Sequence, residues 1–120
     1  MTAGVLNFGC EQGATWRRSV TWKTGAPPDP VNLTGCTARA SIRANPASEV
    51  VASISCAIPA PLTGVIELEL TASQTSALPA AGARWNTPSN YVYDLEVQHP
   101  DGTVTRLLNG AFSVSPEVTK

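Results

Sequence analysis

Apolar residues in this chain recur at every second position, in short runs separated by proline- and glycine-rich breaks. That spacing belongs to strands with one buried face, because successive side chains of an extended backbone point to opposite sides. It excludes a fold built on long amphipathic helices, whose apolar residues return about every three to four positions.

The alternation can be followed along the chain. In residues 14–23, Ala14, Trp16, Val20 and Trp22 share one face, and Thr15, Arg17, Ser19, Thr21 and Lys23 share the other. Arg18 falls on the apolar face, which predicts a bulge or a strand end there. The stretch 24–31 (TGAPPDPV) reads as a loop. Residues 36–43 set Cys36, Ala38, Ala40 and Ile42 inward against Thr37, Arg39, Ser41 and Arg43. A turn around Asn45 and Pro46 leads to residues 50–58, with Val50, Ala52, Ile54, Cys56 and Ile58 at the same spacing. In 64–71, Ile66, Leu68 and Leu70 point inward while Glu67 and Glu69 point out.

One helical turn fits within 72–78, with Ser73 as its N-cap and Pro79 beyond its end. After an irregular loop at 79–90 (PAAGARWNTPSN), Tyr91, Tyr93, Leu95 and Val97 alternate with Val92, Asp94, Glu96 and Gln98. His99, Pro100, Asp101, Gly102 and Thr103 make a hairpin, since proline presets the first φ and glycine accepts a positive one. The returning strand runs from Val104 through Leu108, Gly110 marks a bend, and Phe112 and Val114 continue the inward set.

The 120 residues fit one domain, with 1–13 as an N-terminal arm and 115–120 as a short tail. About seven strands at these intervals, without repeats or βαβ alternation, predict an all-β, immunoglobulin-like antiparallel β-sandwich, with a small barrel as the fallback.

Composition narrows the function. Eight basic and nine acidic residues give a net charge of −1 without a basic cluster, which argues against nucleic-acid binding. No apolar run approaches the ~18 residues of a membrane-spanning helix. Residues 1–13 lack a basic stretch followed by a long apolar one, so the expectation is a protein made in the cytoplasm without a signal peptide. Charged residues are 14% of the chain, against roughly 25% in ordinary globular domains. That suits a surface packed against neighbours, and suits an alanine-rich background composition equally.

Candidate chemistry is sparse. Cys10, Cys36 and Cys56 are odd in number and widely spaced, and with His99 as the only histidine no zinc site is expected. The three thiols are expected to be reduced and mostly buried, with one Cys–Cys bridge as the weaker alternative. His99, in a hairpin before a proline, reads as a solvated turn residue rather than a general base. Glu67 with Glu69, and Asp94 with Glu96, point outward as cross-strand partners for Arg17, Arg39 or Arg43 rather than as acid–base pairs. No catalytic, cofactor-binding or metal residue is therefore assigned, and no cofactor. Trp85, between glycine and proline and flanked by Arg84 and Asn86, either folds back over the open end of the sandwich or projects with the properties of an interface anchor; in the second case these three residues form the candidate protein interface.

Several stretches carry a resemblance when taken together. Gln12, Gly13, Ala14 and Thr15 lead into a strand ending in Trp22 and Lys23; the run 31–39 (VNLTGCTAR) is followed by Ile42 and Arg43. Further on stand 93–96 (YDLE), 101–108 (DGTVTRLL) and 114–119 (VSPEVT). This set resembles a family of small proteins from the structural-gene regions of tailed bacteriophages and prophages. It is similar to the immunoglobulin-like N-terminal domain of phage baseplate upper proteins. Asn32 stands where that family usually has an aspartate, and Cys36 where it usually has an aromatic. The resemblance implies a non-enzymatic virion protein, an adaptor or connector in a tail, baseplate or fibre. Its partners would be other phage structural proteins, within a symmetric homo-oligomer. Head decoration, or binding of carbohydrate or a host surface, are the alternatives.

Overall fold

The alternating segments become strands whose apolar faces meet in one core. The computed structural model describes residues 4–25, 27–79 and 89–117. In chain order the strands are β1 (Gly4–Val5), β2 (Phe8–Glu11), β3 (Trp16–Thr21), β4 (Lys23–Thr24), β5 (Asp29–Pro30), β6 (Thr37–Arg43), β7 (Val50–Ala57), β8 (Val65–Leu70), β9 (Ser89–Gln98) and β10 (Val104–Ser115). A 3-10 turn at Pro61–Thr63 and a helix α1 (Ala72–Ser76) complete the described elements.

One sheet is centred on β6, β9 and β10, antiparallel to one another, with β1 and β2 along the outer side of β10. The other pairs β3 with β8. β7 joins the two: Val50, Ala52, Ser53 and Ile54 pair with β6, and Ser55, Cys56 and Ala57 with β8. Strands β4 and β5 form a small separate hairpin. Because β3 and β6 lie on opposite sides of the core, as do β8 and β9, the chain crosses repeatedly between layers. Together with the β6–β9–β10 and β3–β8 pairings, this is the order of an immunoglobulin-like β-sandwich.

The N-terminal segment departs from the sequence expectation. Rather than a plain arm, it supplies β1 and β2, and both run parallel to β10, so the sandwich is not wholly antiparallel. Only Phe8 and Cys10 alternate inward there, too short a run for period two to announce a strand. Gly110 is not a bend but lies within continuous β10, where the backbone of Leu6 and Asn7 passes close by. A Cβ at Gly110 would stand 2.9 Å from Asn7 Oδ1 and would collide with the Leu6 carbonyl oxygen. The irregularity in β10 falls instead between Arg106 and Leu108. Between β1 and β2 the ladder is carried by Leu6 N–H donating to Asn109 O at 3.0 Å and Ala111 N–H donating to Asn7 Oδ1 at 3.0 Å.

At the centre, four rings close a cycle. Phe8 meets Trp16 edge-on at 5.3 Å, Trp16 meets Phe112 at 5.2 Å, Phe112 meets Tyr93 at 6.4 Å, and Tyr93 returns to Phe8 at 5.2 Å. Such offset and edge contacts add to the area buried, by about 0.5–1.5 kcal/mol per pair. Antibody domains clamp their two sheets here with a disulfide; in this chain Cys10, Cys36 and Cys56 are all free thiols. Trp16 from one sheet and Phe8, Tyr93 and Phe112 from the other do the clamping. Around them Ile42, Ile66, Leu70, Leu95, Val97 and Val114 are wholly excluded from solvent, as the alternation required.

Arg18 produces no bulge: β3 pairs with β8 in unbroken register from Trp16 to Thr21. On this edge strand its side chain escapes by lying over Trp16, with its guanidinium carbon 5.4 Å from the ring centroid. Val50, expected inward, is exposed, because the β6–β7 register slips between Ile42 and Arg43.

The short helix forms where expected, but Thr71 rather than Ser73 caps it. Gln74 N–H donates to Thr71 Oγ1, and Thr71 N–H donates to Gln74 Oε1, a reciprocal capping box. Its Thr75 is fully buried and begins a knot, tying the helix to the 13–14 turn. Thr75 Oγ1 accepts from Gly13 N at 3.0 Å and donates to Ala14 O at 2.8 Å. Gln12 completes the knot, donating to Leu78 O at 2.9 Å and accepting from Glu117 N at 3.0 Å.

Candidate functional site

Both outer faces carry charges that pair locally. Arg17 bonds Glu69 at 2.6 Å, Arg39 bonds Glu96 at 2.9 Å, and Arg106 lies 3.6 Å from Asp94. All three pairs are solvent-exposed to a degree that limits each to less than about 1 kcal/mol. Glu69, Glu96 and Asp94 thus serve as the expected cross-strand partners. Arg43 departs from that pattern, since its guanidinium donates to the backbone oxygen of Ser48. Among the described residues no group of three or more His, Cys, Asp and Glu could hold a metal ion.

Exposed aliphatic side chains occur at Val5, Leu6, Val50, Val51, Leu62 and Val104, with Val5 and Leu62 the most exposed. Val5 is 77% exposed and Leu6 41%, both on the N-terminal segment that borders β10. The Leu6 backbone is nevertheless fixed, since its carbonyl accepts from Tyr93 Oη at 2.5 Å. Burial pushes the Tyr93 hydroxyl up to about 12, so it remains a donor across the neutral range. A rigid backbone therefore presents two aliphatic side chains to solvent at a sheet border. The sequence shows Val5 and Leu6 but not that they would lie outside, because neither belongs to an alternating run.

A second cluster sits at the β6–β9 end of the sandwich. Thr37 pairs with Gln98, and one step further along that register Cys36 faces His99. Cys36 Sγ lies 3.6 Å from His99 Nδ1, and His99 Nε2 lies 3.1 Å from Thr105 Oγ1. The Trp22 ring stands beside the imidazole, 6.0 Å between centroids. The hairpin supporting His99 is the one the sequence predicts: Gly102 N–H donates to His99 O at 2.9 Å, and Gly102 has φ +90°. Yet His99 is half-buried rather than a solvated turn residue, and Cys36 is half-buried rather than in the core. The reason is register. Alternation assigns faces, but only the alignment of β6 on β9, strands some fifty residues apart, brings these two side chains together.

The other thiols are packed differently. Cys10 is buried beside Trp16 and Val114, and Cys56 is half-buried on β7. Burial pushes each of them up to about 11. The candidate interface Arg84, Trp85 and Asn86 lies outside the described residues.

No family model matches this chain, and no curated protein matches it. Among solved structures, murine CRIg is similar at 10% identity, with 92% of each chain covered and a TM-score of 0.42. The fold assignment rests on the strand order given above.

Proposed function

We propose that the protein is a non-enzymatic structural subunit of a tailed-phage virion, an adaptor or connector in the tail, baseplate or fibre. The observation that carries this reading is the N-terminal border of the larger sheet. There a hydrogen-bonded backbone holds Val5 and Leu6 out to solvent, in a chain of which only 14% is charged. Aliphatic side chains fixed at a sheet border are suited to being covered by a neighbouring subunit of the same assembly. The resemblance of residues 12–15, 22–23, 31–39, 42–43, 93–96, 101–108 and 114–119 to phage structural proteins supports the same role. Arg17 with Glu69, Arg39 with Glu96 and Arg106 with Asp94 pair locally on the outer faces, whereas the border presents two adjacent aliphatic side chains.

A double substitution, Val5→Asp with Leu6→Asp, tests this. Both side chains are exposed, so the variant should melt within a few degrees of the parent. Its recovery in purified particles should fall about tenfold or more, the equivalent of losing ~1.4 kcal/mol of contact. Recovery equal to the parent's would contradict an interface at this border. Separating heads from tails before measuring recovery distinguishes a tail position from head decoration.

A further inference from the structure

The half-buried pairing of the one histidine with one of three thiols stands apart among the described residues. It is independent of the virion reading, and it has the parts of a reactive site. Cys36 Sγ and His99 Nδ1 are 3.6 Å apart, and Thr105 Oγ1 engages the far nitrogen of the ring at 3.1 Å. With Nε2–H donating to Thr105, Nδ1 presents its lone pair to the thiol. Two loops hold the geometry. Cys36 N–H donates to Leu33 O at 3.0 Å, and Gly35 packs so close to Pro100 that a Cβ there would stand 2.8 Å from its Cγ. Trp22 walls one side of the imidazole. Both residues stay partly open to solvent, so a small molecule can reach the sulfur.

We propose that Cys36 is a site of reversible thiol modification, activated by His99, that forms a mixed disulfide with a low-molecular-weight disulfide such as oxidised glutathione. His99 Nδ1 takes the thiol proton, and the Cys36 sulfur attacks one sulfur of glutathione disulfide. The glutathione S–S bond breaks, and the departing thiolate takes the proton from the imidazolium. One thiol and one disulfide yield one thiol and one mixed disulfide, so no further oxidant is required. Neither of the other thiols has an imidazole beside it: Cys56 Sγ donates to the Ile54 carbonyl, at 3.5 Å, and Cys10 belongs to the buried core.

The native full chain, treated with oxidised glutathione and mapped by peptide mass spectrometry, should take one glutathione at Cys36 well before Cys10 or Cys56. Cys36→Ser should abolish the fast adduct. His99→Gln, checked by melting to be folded, should slow it by about tenfold, because a free thiol is already a few per cent thiolate at neutral pH. First labelling at Cys10 or Cys56, or an unchanged rate in folded His99→Gln, overturns the proposal. If His99→Gln does not fold, Thr105→Val carries the comparison, because it leaves the imidazole in place and removes only the partner of Nε2. A slower Cys36 reaction is then expected, and an unchanged one overturns the role of the ring.

Discussion

Replacing Phe8 by alanine is expected to lower the melting temperature by roughly 10 °C or more, a loss of about 3 kcal/mol. Phe8 comes from a strand of four residues near the chain's start, yet its ring touches Trp16 at 5.3 Å and Tyr93 at 5.2 Å. Removing it opens the aromatic cycle that clamps the two sheets, and no disulfide stands in reserve. The effect should spread beyond the ring itself. β2 lies on β10 with Phe8 opposite Phe112, so loss of the side chain also weakens the parallel ladder from Phe112 to Ser115. Amide exchange in β2 should then become the fastest of any core strand, because local opening follows the loss of buried apolar contacts. Thermal melting of the purified variant checks the first effect, and hydrogen exchange the second. A melting temperature within about 2 °C of the parent's would place the N-terminal strands outside the cooperative unit.

The second large effect belongs to Thr75. Substitution by valine keeps the shape and removes the hydroxyl, leaving the Gly13 N–H and the Ala14 carbonyl without their partner. Unsatisfied polar groups withdrawn from water cost about 1–3 kcal/mol each, so Thr75→Val should lose roughly 2–4 kcal/mol. Against a total stability on the order of 5–15 kcal/mol, that is a severe change for one oxygen atom. Thr75→Ser provides the contrast. It retains the hydroxyl and loses a methyl group, at about 1 kcal/mol. Chemical denaturation of the two variants should rank serine clearly above valine. Equal stability would mean that the helix and the 13–14 turn are not joined through this oxygen.

What the sequence made legible was governed by the length of each repeating pattern. Residues 64–71 and 91–98 alternate long enough that the inward positions of Ile66, Leu68, Leu70, Leu95 and Val97 follow directly, and all are buried. The His99 hairpin follows from its proline and glycine alone. What escaped depends on contacts between distant segments. The parallel docking of β1 and β2 on β10 joins residues about a hundred positions apart, and no local signal specifies it. Arg18 departs from expectation for a related reason: a charge on an apolar face needs a bulge in a central strand but only an open side in an edge strand. Taken singly, Cys36 implies a buried thiol and His99 a solvated imidazole, whereas register makes them a pair. The N-cap moved by two residues because Thr71 and Gln74 reciprocate, a bonding pattern that Ser73 cannot offer.

The proposed role is tested most directly by composition. On this proposal the chain is encoded by a phage or prophage, whose particles can be purified through a density gradient and their proteins quantified by mass spectrometry against labelled standards. A structural subunit should be present at a fixed number of copies per particle, co-sedimenting with the tail after heads and tails are separated. A chain abundant in the infected-cell lysate but missing from the purified particles would contradict the account.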